Sequence, residues 1–178
     1  MCGADSSAPQ IHLLPPHMDS PPAGCLIRLS FSSWANMSAR PKRTVRGKAL
    51  RLACWNADGV RGRKLELEHF LSQHGVDICL LSETFLNPGE AFRLVNYVCH
   101  RTDRPTAGVG TAILFRRGIS HHTVPVPGLT QLVATAIQIM LAGRQVKVLA
   151  AYLSPSRPLI GADLDACFGD GLPVLICR

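Results

Sequence analysis

The stretch L-R-L-A-C-W-N-A-D-G, residues 50–59, decides the fold. Every second residue from Leu50 to Cys54 is apolar, which is the period-two pattern of a buried strand. The strand is predicted to end at Asn56, because the Asn, Asp and Gly that follow favour a turn. Ligand sites of layered α/β folds form where strands leave the core. Asn56 and Asp58 are therefore candidate site residues, with turn formation alone as the alternative.

A helix and a second strand are predicted directly after this turn. In residues 65–74 the apolar Leu67 and Leu71 recur at helical spacing, with polar side chains on the opposite face. Gly75 suits the position just past the end of a helix. Residues 76–82 form a short apolar run that suits a strand buried on both faces. The order of strand, helix and strand predicts a βαβ opening.

The rest of the chain is predicted to be rich in strands. The predicted elements are an extended piece over 92–99, strands over 111–115, 133–141, 146–153 and 173–177, a Pro-interrupted loop over 121–128 and a helix over 159–168. His121 and His122 are predicted as loop histidines and not as joint metal ligands, since adjacent residues on a strand face opposite sides. Asp163, Asp165 and Asp170 are predicted as surface charges.

Composition places the chain among globular proteins. It has 178 residues, 47% of them hydrophobic and 17% charged, enough for one domain of ordinary size. We find no apolar run of roughly 18 residues, so no membrane span is predicted, and no secretory signal is recognisable. Seven Cys occur without a C-x-x-C pair, which indicates reduced thiols in an intracellular protein rather than a disulfide framework or a zinc knuckle.

Residues 1–47 are predicted to be a disordered, Pro- and Ser-rich basic arm, followed by one domain over 48–178. Most of the net charge of +7 lies before residue 52, and it is concentrated between Arg40 and Arg51. Such an arm contacts nucleic-acid phosphates in some proteins and is only a solvated linker in others. Both readings remain open at this stage.

Four polar side chains lie at or near the ends of predicted strands: Asn56, Asp58, Glu83 and Tyr152. If these strands share a sheet, the four groups converge on one rim. Carboxylate oxygens suit Mg²⁺, which takes one or two carboxylates and keeps several waters. The alternatives are that Glu83 is a solvated carboxylate and that Tyr152 merely packs.

Five motifs now carry a family resemblance. They are W-N-A-D-G (55–59), D-I-C-L-L-S-E-T (77–84), H-R-T-D-R (100–104), G-V-G-T-A-I-L (108–114) and A-Y-L-S-P-S (151–156). In this order they resemble the endonuclease/exonuclease/phosphatase family, and in particular the endonuclease module of non-LTR (LINE-like, jockey-like) retrotransposons. The resemblance covers about residues 50 to 177.

The resemblance implies a fold, a reaction and roles for individual residues. The fold is an α/β sandwich of two mixed sheets with helices outside, and the reaction is Mg²⁺-dependent phosphodiester hydrolysis, with Mn²⁺ as a possible substitute. Glu83 and Asp58 match metal-binding positions, and Asn56 and Tyr152 match catalytic positions. The DNA-binding candidates are Arg61, Arg63, Arg101 and Arg104. The implied partners are DNA and a downstream reverse transcriptase domain, with a nuclear location and with no membrane or small-molecule cofactor.

This sequence departs from the family pattern in two places. The family continues with G-D-x-N and S-D-H motifs, whereas here the last predicted strand reads L-P-V-L-I-C-R and ends. We therefore expect an incomplete copy with one mixed sheet mostly present, inactive by itself, because a general base commonly contributes 10²–10⁴-fold. We also expect an open apolar face formed by Ala112, Leu114, Ile137, Ile139 and Val148 or their alternates, and poor solubility. Val109 replaces the middle Gly of a triple-Gly run.

Two further functions remain open besides the endonuclease. One is a non-catalytic DNA-binding fragment with residues 40–51 as its electrostatic contact. The other is a phosphatase of the same family that acts on a small phosphorylated substrate. Salt-sensitive DNA binding without Mg²⁺-dependent nicking favours the first, and turnover of a soluble phosphate ester without DNA affinity favours the second.

Overall fold

The computed structural model describes residues 10–13, 24–30, 50–104, 109–126, 128–141 and 143–177. In chain order the elements are β1 (Gln10–Leu13), β2 (Gly24–Ser30), β3 (Leu50–Asn56), α1 (Lys64–Gln73), β4 (Ile78–Ser82), β5 (Tyr97–Thr102), β6 (Thr111–Arg116), β7 (His121–Val124), β8 (Leu132–Leu141), β9 (Arg144–Leu153), α2 (Gly161–Phe168) and β10 (Val174–Cys177). They form a six-stranded sheet in the order β1-β2-β3-β4-β6-β5 and a four-stranded sheet in the order β10-β9-β8-β7.

The predicted βαβ opening is confirmed. Strands β3 and β4 pair in parallel, from Leu52 opposite Ile78 to Asn56 opposite Ser82, and helix α1 connects them. Helix α1 buries its apolar face on the sheet through Leu67 and Leu71. Its chain reversal is completed at Gly75, whose φ of +57° lies in the left-handed region that favours glycine.

The two sheets pack face to face, and alternation along each strand divides the apolar side chains between two layers. The inner layer includes Leu80 and Ile113 from the first sheet and Ile137 and Val148 from the second. The outer face of the first sheet packs against α1. The outer face of the second sheet packs against Cys167 of α2. The predicted sandwich of mixed sheets with helices outside is confirmed.

The prediction of an open apolar face is wrong. Ala112, Leu114, Ile137 and Val148 are each 0% exposed. Ala112 and Leu114 lie under the α1 layer, whereas Ile137 and Val148 fill the space between the sheets. The face is closed because β7 to β10 build a second sheet that covers the first, and the expectation of poor solubility loses its basis.

Two stretches of the arm predicted to be disordered are strands. Strand β2 pairs antiparallel with β3, from Leu29 opposite Leu50 to Gly24 opposite Trp55, and β1 pairs with β2. The apolar run in β2 is too short to build a core by itself, but an edge of β3 supplies a ladder of backbone partners. The disorder prediction is corrected for these two stretches, while 1–9, 14–23 and 31–49 lie outside the described residues.

The loop predicted over 121–128 begins with a strand. Residues His121–Val124 form β7, which pairs antiparallel with β8 from His121 opposite Ile139 to Val124 opposite Ala136. The loop was predicted from its prolines, but the strand ends just before the first of them, Pro125, so they do not interrupt it.

Candidate active site

The carboxyl ends of β3 and β4 place the first candidate residues side by side. Asn56 stands opposite Ser82, the residue before Glu83. The pairing continues past the strands, because Ala57 N–H donates to the Ser82 carbonyl at 2.9 Å and Gly59 N–H donates to the Glu83 carbonyl at 2.9 Å. The segments that follow the two strands therefore leave the sheet as a joined pair.

Strand alternation points Asn56 toward the second sheet. Leu52 and Cys54 belong to the inner layer, and Asn56 is the next residue with the same orientation. Its Oδ1 accepts a hydrogen bond from Asp58 N–H at 3.2 Å, so Asn56 also forms the predicted turn. Among the described residues Nδ2 of Asn56 has no hydrogen-bond partner, and it remains a donor for a ligand.

The backbone around Glu83 is strained. Asp58, Glu83 and Phe85 have φ values of 40°, 53° and 50°, in the left-handed region that non-glycine residues rarely adopt. Strain of this kind costs on the order of 1–3 kcal/mol per residue and clusters at functional sites. Hydrogen bonds from Gly59 and Val60 to the carbonyls of Glu83 and Thr84 hold the segment in place. Glu83 is half-buried and makes no ion pair in the described part of the chain.

A chain of threonine hydroxyls connects the two sheets at the level of Ser82. Thr111 lies opposite Ser82, and its Oγ1 is 2.9 Å from Oγ1 of Thr135 on β8. The Thr135 hydroxyl donates to Oγ1 of Thr102 at 2.9 Å, and Thr102 donates to the Ala134 carbonyl at 3.0 Å. The Thr135 hydroxyl also lies 3.1 Å from the Thr111 carbonyl, and the chain fixes the register between the sheets.

That register brings Tyr152 to the same rim. Thr135 pairs with Ala150 on β9, and Ala150 belongs to the inner layer. Tyr152 is two residues farther along β9, so it faces the same way as Ala150 but lies beyond the level of Ser82. The half-buried Tyr152 therefore stands on the second sheet at the end of the sandwich where Asn56 leaves the first.

Asp58 is engaged by a neighbouring arginine. Its Oδ2 lies 3.5 Å from Nη2 of Arg63, and the Asp58 side chain is 71% exposed. An exposed ion pair of this kind is worth about 0–1 kcal/mol. Breaking the Asp58–Arg63 pair therefore costs little.

The four candidate DNA-binding arginines have protein partners. Arg61 pairs with Glu90, and Arg63 with Asp58 as described. Arg101 pairs with Asp103 at 3.1 Å and is largely buried, and Arg104 reaches the Gln131 carbonyl at 3.5 Å. Burial raises the pKa of Asp103, and the adjacent Arg101 opposes that shift. The side chain of Arg61 is 74% exposed, that of Arg63 31% and that of Arg101 18%, so Arg61 is the most open to solvent of the three.

Gly110 packs closely against the segment that follows Glu83, a contact that the sequence prediction missed. A Cβ atom at Gly110 would lie 2.8 Å from the Thr102 carbonyl and 2.8 Å from Oγ1 of Thr84. Its carbonyl accepts from Thr84 N–H at 3.1 Å. The close approach in the G-V-G run therefore falls at Gly110, and Val109 does not prevent it. The glycine repeat was the available signal, but only the contacts show which position needs it.

Asp163 is buried, so the prediction of a surface charge is wrong. It is 0% exposed, and its carboxylate accepts hydrogen bonds from the backbone N–H groups of Thr130, Gln131 and Leu132 at 2.8–2.9 Å. Burial by itself raises the pKa of Asp163, but these bonds together lower it below its usual value. Asp170 is also more than a surface charge, because it pairs with the buried Lys147.

The donor chemistry of the rim fits a hard divalent cation. Glu83 offers a half-buried carboxylate without an ion pair, and Asp58 offers a second one. In the described ranges no group of three or more His, Cys, Asp or Glu side chains is close enough to hold a metal. One or two carboxylates with water completing the shell is the way in which proteins commonly bind Mg²⁺.

Comparisons with known proteins agree with this arrangement. The family model described as "Endonuclease/Exonuclease/phosphatase family" matches residues 53–170. The chain is 37% identical over 75 residues to the probable RNA-directed DNA polymerase from transposon X-element of Drosophila melanogaster, covering 40% of this chain and 8% of that protein. It is 26% identical over 121 residues to the RNA-directed DNA polymerase from mobile element jockey of the same species, covering 67% and 13%. The chain thus spans a small part of these relatives.

A solved structure shares the fold. The D. rerio TDP2 complexed with single strand DNA product superposes with a TM-score of 0.51 at 18% identity, covering 71% of this chain and 58% of that chain. Within the described residues no helix is long and apolar enough to cross a membrane. The family match extends over more than half of the sequence and includes the carboxyl ends of β3, β4 and β9. The chain belongs to the endonuclease/exonuclease/phosphatase family.

Proposed function

We propose that this chain is part of a retrotransposon-type DNA endonuclease domain. The observation that carries the proposal is the convergence of Asn56 and Glu83 at the ends of two paired parallel strands, with Tyr152 on the facing sheet at the same rim. The relatives that are RNA-directed DNA polymerases of mobile elements support DNA as the substrate. A nick made in target DNA leaves a 3′ hydroxyl that such a polymerase can extend, and a DNA substrate implies a nuclear location.

In this proposal two of the rim residues bind the metal and two bind the phosphate. Glu83 holds Mg²⁺, or Mn²⁺ in its place, and Asp58 assists after release from Arg63. The bound ion would polarise a phosphoryl oxygen and stabilise charge on the leaving oxygen. Nδ2 of Asn56 and the hydroxyl of Tyr152 donate to oxygens of the scissile phosphate. The strained backbone at Glu83 holds the carboxylate in position before the ligand arrives.

We infer that the chain by itself cleaves DNA poorly. Of the rim candidates in the described part, Asp58 and Glu83 are assigned to the metal and Asn56 and Tyr152 to the phosphate, so none is left as the base that activates water. A site without a general base to activate water forfeits about 10²–10⁴-fold in rate. We therefore expect Mg²⁺-dependent binding of DNA, without detectable nicking.

The test measures binding of a fluorescent DNA duplex and relaxation of supercoiled plasmid, with Mg²⁺ and with EDTA. Glu83→Gln removes one charge at the rim, and Glu66→Gln makes the same change on the exposed first turn of α1. We expect Mg²⁺ to tighten DNA binding about 10-fold in the unmodified chain and in Glu66→Gln, but not in Glu83→Gln. If the unmodified chain nicks the plasmid and Glu83→Gln does not, the endonuclease proposal stands and the inference of poor cleavage is overturned.

Two outcomes favour the alternatives. DNA binding that depends on salt but is the same with Mg²⁺ and EDTA indicates a non-catalytic DNA-binding protein. Hydrolysis of a soluble phosphate ester without affinity for DNA indicates a phosphatase of the same family. Either result contradicts the endonuclease proposal.

A further inference from the structure

A pair of histidines lies between the edge strands of the two sheets, away from the rim. His100 belongs to β5 of the first sheet and His121 to β7 of the second. Their Nε2 atoms are 3.1 Å apart. The two histidines predicted to lie in a loop have different surroundings. His121 pairs with His100, while His122 on the opposite side of the strand is exposed.

The surroundings fix the orientation of both rings. His100 stacks on Phe115 with ring centroids 5.1 Å apart and an interplanar angle of 26°. The His121 ring contacts the same Phe115 at 3.8 Å, and Nδ1 of His121 lies 2.9 Å from the Ile119 carbonyl. A carbonyl accepts only, so Nδ1 of His121 carries the proton and its Nε2 presents a lone pair toward His100.

The separation of the two nitrogens matches the bite of one metal ion. With Zn–N bonds of about 2.0–2.1 Å, two Nε2 atoms at 3.1 Å subtend an angle of roughly 100° at the ion. This angle is close to the tetrahedral value. The backbone carbonyl on Nδ1 of His121 is also the kind of outer partner that orients histidine ligands. Metal entry requires that His100 move its proton from Nε2 to Nδ1 and that both rings turn so that their Nε2 lone pairs point to the ion.

We propose that His100 and His121 bind a first-row transition-metal ion that prefers imidazole, with Zn²⁺ as its representative. No third His, Cys, Asp or Glu joins them in the ranges that the structure describes, so water completes the coordination. A cleft of about 230 Å³ opens beside His100, and its lining includes Arg101, Thr102 and Thr123.

The histidine site differs from the proposed site at Glu83 in the type of donor atom. Imidazole nitrogens favour Zn²⁺, Cu²⁺ and Ni²⁺, whereas the carboxylates of the rim favour Mg²⁺. The ion also joins two elements, because β5 and β7 belong to different sheets. Binding therefore stabilises the closed sandwich, since the unfolded chain does not hold the two rings together.

The experiment follows thermal unfolding of the metal-stripped full chain during Zn²⁺ titration. We expect Tm to rise by about 3–6 °C at a free Zn²⁺ concentration roughly ten times Kd. The rise should persist in His122→Gln and in Glu83→Gln and should disappear in His100→Gln. The matched His122→Gln variant makes the same change at the exposed histidine next to His121 on β7, so it shows whether the loss of any histidine abolishes the rise.

A second measurement uses the unmodified chain, which removes any dependence on folding of the variants. Diethylpyrocarbonate modifies accessible imidazoles, and mass spectrometry locates the modified residues. Zn²⁺ should protect His100 and His121 at least about 5-fold and leave His122 reactive. Equal Zn²⁺ stabilisation in His100→Gln, or unchanged modification of His100 and His121, overturns the proposal.

Discussion

At the scale of single residues, partners rather than residue type set the role of the acidic side chains. Asp163 and Glu66 both lie in the first turn of a helix. Glu66 is exposed, whereas Asp163 is buried under the segment that precedes β8 and satisfies three consecutive backbone N–H groups. A buried carboxylate that orders a loop is a structural element, and the loop it orders leads into the strand that carries Thr135.

Replacing Asp163 with Asn tests this role. The amide keeps the shape but offers one acceptor oxygen and no charge, so at least one backbone N–H loses a charge-assisted partner. We expect the free energy of unfolding at pH 7 to fall by about 1.5–3 kcal/mol. Urea denaturation followed by circular dichroism measures the change, and Asp165→Asn on the exposed face of the same helix is the control. A loss in Asp165→Asn as large as that in Asp163→Asn would contradict the assignment.

The same residue predicts a pH dependence. The pKa of Asp163 is lowered in the folded state from its ordinary value of 3.8. The stabilisation of the fold by the Asp163 carboxylate is therefore complete above about pH 4 and is lost as the pH falls through the folded-state pKa. We expect Asp163→Asn to flatten the acid limb of the stability curve below pH 4 and to leave the region from pH 6 to 8 parallel to the unmodified chain.

At the scale of elements, the helices are ordered by the sheets they cover. Leu67 and Leu71 of α1 are both 0% exposed, whereas Leu65 on the solvent side is 80% exposed. Helix α2 is held at its carboxyl end by Lys147 of β9, whose Nζ donates to the Cys167 carbonyl at 2.9 Å. A cation at the last turn of a helix also interacts favourably with the helix dipole.

Leucine truncation in α1 separates burial from helix propensity. Leu71→Ala and Leu65→Ala make the same chemical change in one helix, but only the first opens a cavity against the sheet. We expect Leu71→Ala to cost about 2–5 kcal/mol of unfolding free energy and Leu65→Ala less than about 0.5 kcal/mol. Thermal denaturation of the two variants checks the difference. Similar losses would mean that α1 does not pack on the sheet as described.

At the scale of the whole molecule, the two sheets depend on one core. Ile78 and Leu80 of β4 pack with Val148 and Ala150 of β9, and the threonine chain crosses between the sheets at the same level. Neither sheet can retain its buried inner face without the other. The molecule should therefore unfold as one cooperative unit.

Hydrogen exchange tests this cooperativity. We expect the slowest amides of 78–82 and of 146–150 to exchange with the same opening free energy, because both require global unfolding. Ile137→Ala, at 0% exposure between the sheets, should lower both values equally, by about 2–5 kcal/mol. A change confined to the amides of 146–150 would show that the second sheet opens independently.

The sequence by itself determined the local elements and the polar residues that end them. Period-two alternation located β3, and helical spacing located α1, because side-chain direction follows from backbone geometry alone. Asn56 and Glu83 were found as strand-end residues for the same reason, and the motif order predicted the family. These features depend on neighbours within a few positions along the chain.

Only the tertiary structure decided how distant segments meet. The pairing of β2 with β3, the burial of Asp163 and the contact of His100 with His121 each join residues at least 21 positions apart. The core between the sheets likewise joins strands of different sheets. Periodicity shows which face of a strand is apolar but not what covers it, since burial is a property of the surface that arrives from elsewhere in the chain.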